Sequence, residues 1–204
     1  MVLKLEHAIP ARKLVLRLAE VNGETLPSYI DRLTDRYGTS LSVMLDRLGV
    51  RRGRGAAYGC VLSDSEQQGI AAATGLTKDA IAGMLYERSW RYVDPRLFEA
   101  SCAARQTIKK ENGRHVVKWG SMTGSHFCPM CLRESGGVWL KRWRLPWSFT
   151  CVRHKILLCD VCPACGKRPR TEGFRGFPCV RFRSTPMFCN NSRISHSMSN
   201  PNIC

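Results

Sequence analysis

Cys128, Cys131, Cys151 and His154 stand in metal-ligand spacing: Cys-Pro-Met-Cys, nineteen residues, then Cys-Val-Arg-His. A Cys-x-x-Cys turn brings two thiolates to one ion at about 2.3 Å, and a second turn completes the tetrahedron. The four make a full Cys3His zinc set. Closure by four protein ligands leaves no position for water, so the expected site is structural rather than catalytic. The competing reading, buried thiols or disulfides, does not explain four ligands at correct spacing. A second knuckle, Cys162-Pro-Ala-Cys165-Gly, supplies half of another zinc site. Its other half is drawn from Cys179, Cys189 and Cys204. Cys189 and Cys204 are preferred because they bracket a polar segment that can return to the metal, and a pair containing Cys179 stays open. Cys159, in the apolar run Ile156-Leu157-Leu158-Cys159, reads as a small core hydrophobe, and Cys60 and Cys102 as ordinary thiols.

The cations are as uneven as the cysteines. The net charge is +16. Residues 1–100 carry 14 Lys/Arg against 12 Asp/Glu, whereas residues 101–204 carry 18 against 4, a net of +14. Two zinc–thiolate sites would bring the total only to about +13. Such a surface attracts a polyanion through counterion release, and DNA or a nucleoprotein complex is the expected partner. Lys141, Arg142, Arg144, Arg153, Lys167, Arg168 and Arg170 are the candidate nucleic-acid contacts. In Lys141-Arg142-Trp143-Arg144-Leu145-Pro146-Trp147 the cations alternate with indoles. Either the rings stack bases, or they form the small core a zinc module needs, with the cations outside; the second is preferred.

The chain opens without an uninterrupted apolar leader, and no apolar run approaches a membrane span. A reducing, cytoplasmic, nucleoid-associated setting and no membrane partner are therefore expected.

The elements that hold these groups follow from pattern. Pro27 near a first turn, Ile30 and Leu33 at i, i+3 and Gly38 at the end predict one helix. Leu41, Met44, Leu45 and Leu48 on one stripe, closed by Gly49, predict a second. Two more are expected, from Ser65 to about Thr74 and from Thr77 to about Tyr86. Small residues, Gly75 and the Thr77 cap give this pair the form of a helix-turn-helix. Many helical hairpins that never meet DNA share that form. Gly136-Gly137-Val138-Trp139-Leu140 reads as a turn into a strand. The expected fold is a mainly α N-terminal half with a helix-turn-helix-like unit plus a small irregular α+β zinc-finger or zinc-ribbon module. Its divisions are residues 1–115, a zinc module at 116–190 and a polar, disordered tail at 191–204.

These parts occur in a familiar order. Asn22-Gly23-Glu24-Thr25-Leu26-Pro27-Ser28-Tyr29-Ile30-Asp31-Arg32-Leu33 resembles the opening motif of the TniQ family. Ala72-Ala73-Thr74-Gly75-Leu76, Met84-Leu85, Phe127-Cys128-Pro129-Met130-Cys131-Leu132, Trp143-Arg144-Leu145-Pro146, Cys151-Val152-Arg153-His154 and Cys162-Pro163-Ala164-Cys165-Gly166 continue the likeness across roughly residues 15–170. Members of that family are accessory factors of Tn7-like and related transposons. The resemblance implies a non-catalytic adaptor that joins a targeting element to the AAA+ regulator of a transposase. On this reading helices around Tyr29, Leu33 and Leu45 meet a protein partner while the zinc region holds nucleic acid. The family's second zinc motif is often followed by more sequence, so stopping at Cys204 reads as a short or truncated member.

Rival functions are a stand-alone helix-turn-helix/zinc-finger DNA-binding regulator and, behind it, a RING-like finger, whose terminal paired cysteines are missing. A zinc deaminase is excluded because no His-x-Glu precedes a Pro-Cys-x-x-Cys. No Gly-x-x-x-x-Gly-Lys-Ser/Thr loop is present, and the basic half offers only Glu111, Glu134, Asp160 and Glu172 as carboxylates, so neither ATPase nor two-metal strand-transfer chemistry is expected.

Overall fold

The computed structural model describes residues 13–50, 58–86, 88, 125–145 and 147–162. Four helices come first, each started by a hydroxyl cap. Helix α1, Leu26–Arg36, begins where Thr25 accepts the Ser28 N–H at 3.2 Å, with Pro27 in the first turn. Helix α2, Leu41–Arg47, is capped by Ser40 through the Val43 N–H. Helix α3, Asp64–Thr74, opens with a capping box in which Ser63 and Glu66 satisfy each other's backbone N–H groups. Helix α4, Lys78–Met84, starts at Thr77, which accepts the Ala80 N–H at 3.1 Å. All four lie close to their expected spans. The exception is the end of α4, which stops at Met84 because Leu85 turns extended.

Between α3 and α4 the chain turns through Gly75, Leu76 and Thr77, and the two helices pack together. Gly75 is favoured there by its φ of +78°, a conformation that L side chains rarely adopt.

Leu26, Tyr29, Ile30, Leu33, Met44, Leu48, Ile70 and Ile81 form a core from which water is excluded. Tyr29 and Leu33, around which a partner contact is expected, are themselves part of this core. Both are fully buried and Leu45 is half-buried against them, since the apolar stripe of an isolated amphipathic helix is first used on its neighbours. Cys60, expected as an ordinary thiol, lies buried in the same core.

The second segment builds its own smaller core. A short helix α5, Pro129–Glu134, is followed by a turn with both Gly136 and Gly137 at positive φ, a 3-10 turn at Lys141–Arg144, and the hairpin β1, Thr150–Cys151, with β2, Ile156–Leu157. The hairpin is antiparallel, with Thr150 opposite Leu157 and Cys151 opposite Ile156. The expected strand at 138–140 is reduced to a single bridge between Glu24 and Leu140. Trp139 and Trp143 meet edge to face at 5.4 Å, with Phe127 5.7 Å from Trp139. The indoles at 139 and 143 are therefore core, as the plainer reading held. Trp147 is not: it is 52% exposed.

The start of α1 is hydrogen-bonded to this second segment. Thr25 N–H donates to Trp139 O at 2.9 Å and Lys141 N–H to Gly23 O at 2.8 Å. Trp139 N–H donates to Ser28 Oγ at 2.8 Å, and that hydroxyl in turn donates to Glu24 Oε1 at 2.8 Å. Glu24, wholly buried, is also reached by the Arg32 guanidinium at 2.5 Å and the Val21 N–H at 3.2 Å. Burial pushes its carboxyl above the usual range, and Arg32, Ser28 and the Val21 N–H pull it back. The motif Gly23-Glu24-Thr25-x-x-Ser28 is thus the clasp between the helices and the cysteine-bearing segment.

Among the described residues no helix is long and apolar enough to cross a membrane. The division placed between residues 115 and 116 and the polar tail at 191–204 lie outside the described residues.

Candidate metal centre

Each of the four expected ligands is held by local backbone rules. Cys128 is the N-cap of α5, its sulfur accepting the Cys131 N–H at 3.4 Å, and Pro129 sets the first turn. One helical turn therefore presents both thiols to the same point. Cys151 ends β1, and Lys155 N–H returns to Cys151 O at 2.7 Å. Lys155 adopts φ 53°, a left-handed conformation that lets the chain reverse after His154 and enter β2. Phe127 and Cys159 pair across an antiparallel bridge at 2.8 and 2.9 Å, fastening the α5 knuckle to the hairpin.

The ligand atoms converge. Cys128 Sγ, Cys131 Sγ, Cys151 Sγ and an imidazole nitrogen of His154 all lie within 4.8 Å of one another. A tetrahedron with metal–sulfur bonds of about 2.3 Å and a metal–nitrogen bond of about 2.0 Å has edges of about 3.8 Å between sulfurs and about 3.5 Å from sulfur to nitrogen. His154 Nδ1 lies 3.4, 3.3 and 3.5 Å from the sulfurs of Cys128, Cys131 and Cys151, and Cys131 and Cys151 are 3.6 Å apart. The near-equality of the three nitrogen edges puts the imidazole at one vertex and the sulfurs at the other three. The four residues fit a single metal ion.

Charge points the same way. Burial, then the thiols of Cys151 and Cys128, push Cys131 up to about 12, and burial likewise raises Cys128. Burial opposes ionisation of Cys151 too, but the His154 backbone N–H, the His154 ring and the neighbouring thiols outweigh it and hold that group at about 7. A divalent ion is the species that lets all three ionise together.

Sequence reasoning missed Glu134. Its Oε1 lies 3.0 Å from His154 Nε2 and its Oε2 2.8 Å from Arg153 Nη2. In the tautomer that suits a metal ligand, Nε2–H donates to the carboxylate, which leaves the Nδ1 lone pair facing the sulfurs. Such a carboxylate–histidine pair fixes the tautomer and ring orientation of a metal ligand. The available signal was its place three residues after Cys131 on α5. Glu134→Ala is expected to weaken metal affinity roughly 10- to 100-fold with the four ligands intact, read by competition with a chromophoric chelator.

The remaining expected residues divide. Cys162 is buried but stands outside the Cys3His group, and Cys165, Cys179, Cys189 and Cys204 lie outside the described residues. Cys159 is buried in the small core, as expected. Among the cations, Arg142 and Arg153 are exposed. Arg144 is only 3% exposed and lies over the Tyr86 ring at 5.7 Å. The Lys141 ammonium donates to Gly83 O, near the end of α4. These two fasten the second segment to the helices. Their engagement depends on residues 83 and 86 and could not be seen in the local run. Lys167, Arg168 and Arg170 lie outside the described residues.

Residues 15–158 match the family model described as TniQ. The match runs through the clasp, all four helices and the Cys3His group. No curated protein matches the chain.

Proposed function

We propose, for a chain that belongs to the TniQ family, a non-catalytic accessory role in DNA transposition, linking target recognition to the transposition machinery. The family match over residues 15–158 carries this reading, and it already ties the chain to transposition. The finer role rests on the following physical support. A Cys3His centre closed by its own ligands takes zinc and offers a substrate no coordination site. Zinc bound there acts as a crosslink. The basic half supplies charge for DNA or a nucleoprotein, and the AAA+ regulator is the expected second partner. In this role Arg142 and Arg153, both exposed, contact phosphates; Lys167, Arg168 and Arg170 complete the proposed set, and Cys162 with Cys165 and two of Cys179, Cys189 and Cys204 hold a second zinc. The pair α3 and α4 serves as the helix-turn-helix. In α4, Lys78 and Asp79 are exposed while Ile81 and Met84 are buried, a weakly charged face suited to orientation more than to base reading.

If about five phosphates are neutralised, log affinity for duplex DNA falls with log salt at a slope of roughly −4 to −5. Changing both Arg142 and Arg153 to Ala should weaken all sequences alike and reduce that slope by about 2. The decisive assay is reconstituted transposition with the transposase and ATPase of the same element. Omitting this chain is expected to abolish insertion or scatter its targets. Unchanged insertion frequency and target choice would defeat the adaptor reading. A stand-alone regulator would instead recover promoter DNA and no ATPase.

A further inference from the structure

Nine large hydrophobic side chains are exposed among the described residues, and five of them, Trp147, Phe149, Val152, Leu157 and Val161, fall within residues 147–161. That concentration is not what a small zinc hairpin needs for itself. Its core is already filled by Phe127, Leu132, Trp139, Trp143 and Leu158. Trp147 is the third indole of the spacing 139, 143, 147, and it alone of the three faces water, at 52% exposure. Phe149, 66% exposed, sits two residues on and accepts the Leu158 N–H across the hairpin at 2.8 Å. Phe149 is fastened at the foot of the hairpin and Trp147 lies two residues before it, and aromatic rings of this kind offer a planar group a large contact area.

The charges on the same segment choose the occupant. Arg142, Arg153 and Lys155 are exposed, whereas the acidic groups are Asp160 and Glu134, the latter engaged by His154 and Arg153. The complementary ligand is anionic and carries flat apolar rings. We propose that this hairpin face, centred on Trp147 and Phe149, is a stacking platform for unpaired nucleotides, with single-stranded nucleic acid as its ligand. The inference rests on the nucleic-acid role above and deepens it: duplex phosphates engage the cations, while bases freed from pairing engage the rings. Stacking of this kind tolerates sequence because every base has a π face.

The test uses the full zinc-loaded chain with a labelled oligothymidylate and a labelled duplex of equal length. Oligothymidylate is expected to quench tryptophan emission, and Trp147→Phe to remove most of that quenching. Trp147→Ala and Phe149→Ala should each weaken oligothymidylate binding roughly 5- to 100-fold and leave duplex affinity within about twofold. Both side chains are exposed, and unchanged zinc content will show that the variants fold. Duplex binding without any effect of either variant on oligothymidylate would overturn this platform and spare the nucleic-acid role. Failure to bind either probe would overturn both. A concentration-dependent dimer abolished by the same two variants would assign the face to a second copy of the chain and likewise overturn the proposal.

Discussion

Cys131→Ser should yield a chain without stoichiometric zinc at this centre and with residues 125–162 unfolded. A serine hydroxyl does not ionise near neutral pH, so the set loses one of its three thiolates. Structural zinc contributes apparent folding free energy of about 10 kcal/mol or more, whereas whole domains are stable by roughly 5–15 kcal/mol. The small core around Trp139 and Trp143 cannot make up such a loss. The damage should also travel. Trp139 and Lys141 close on Gly23, Thr25 and Ser28, and Arg144 covers Tyr86, so α1 and α4 lose contacts while keeping their own core. Elemental analysis, the red shift of tryptophan emission and a lowered Tm of the remaining helices are the readouts. A variant with wild-type near-ultraviolet dichroism and Tm would show that the ion is dispensable.

The second large effect is expected at the clasp. Glu24→Ala removes the acceptor of Ser28 Oγ, the Val21 N–H and the Arg32 guanidinium, and strands an arginine whose side chain is 22% exposed. Breaking a buried pair costs about 3–5 kcal/mol, and partial exposure of Arg32 places this one near 3 kcal/mol. At roughly 2–4 °C per kcal/mol for a chain of this size, Tm should fall by about 6–12 °C. Glu24→Gln, which still accepts from Ser28, should lose clearly less. Zinc content should be unchanged in both, since no ligand touches Glu24. A Tm within about 1 °C of wild type for Glu24→Ala would mean that the two segments are held by something else.

Sequence and structure agree where the information is local. Pro27 marks the start of α1 and Thr77 that of α4, Gly75 takes a left-handed turn, and the four ligands sit on two tight turns that each span four residues. What the sequence hid is long-range. The opening motif around Glu24 looks like a helix cap and is also a contact with Trp139, more than a hundred residues away. Lys141 and Arg144 look like surface cations, yet Arg144 is buried over Tyr86 and the half-buried Lys141 reaches Gly83 of α4, a fact carried by residues 83 and 86 and not by their neighbours. Tyr29 and Leu33 show an apolar stripe whose partner a single helix cannot name. Glu134 was legible only as a carboxylate in a basic region, because its value depends on where His154 lands.

The central claim is a closed metal tetrahedron that pins the hairpin and the α5 knuckle of a TniQ protein. X-ray absorption at the zinc edge, on protein purified without chelator, measures it directly. The expected spectrum has three sulfurs at about 2.3 Å and one nitrogen at about 2.0–2.1 Å for the Cys3His site. Because Cys162 and Cys165 mark a second knuckle, the same spectrum should be taken with both changed to Ser, where only the three-sulfur, one-nitrogen shell is expected to remain. An oxygen from water in that shell, or a variant spectrum lacking zinc altogether, would contradict the account.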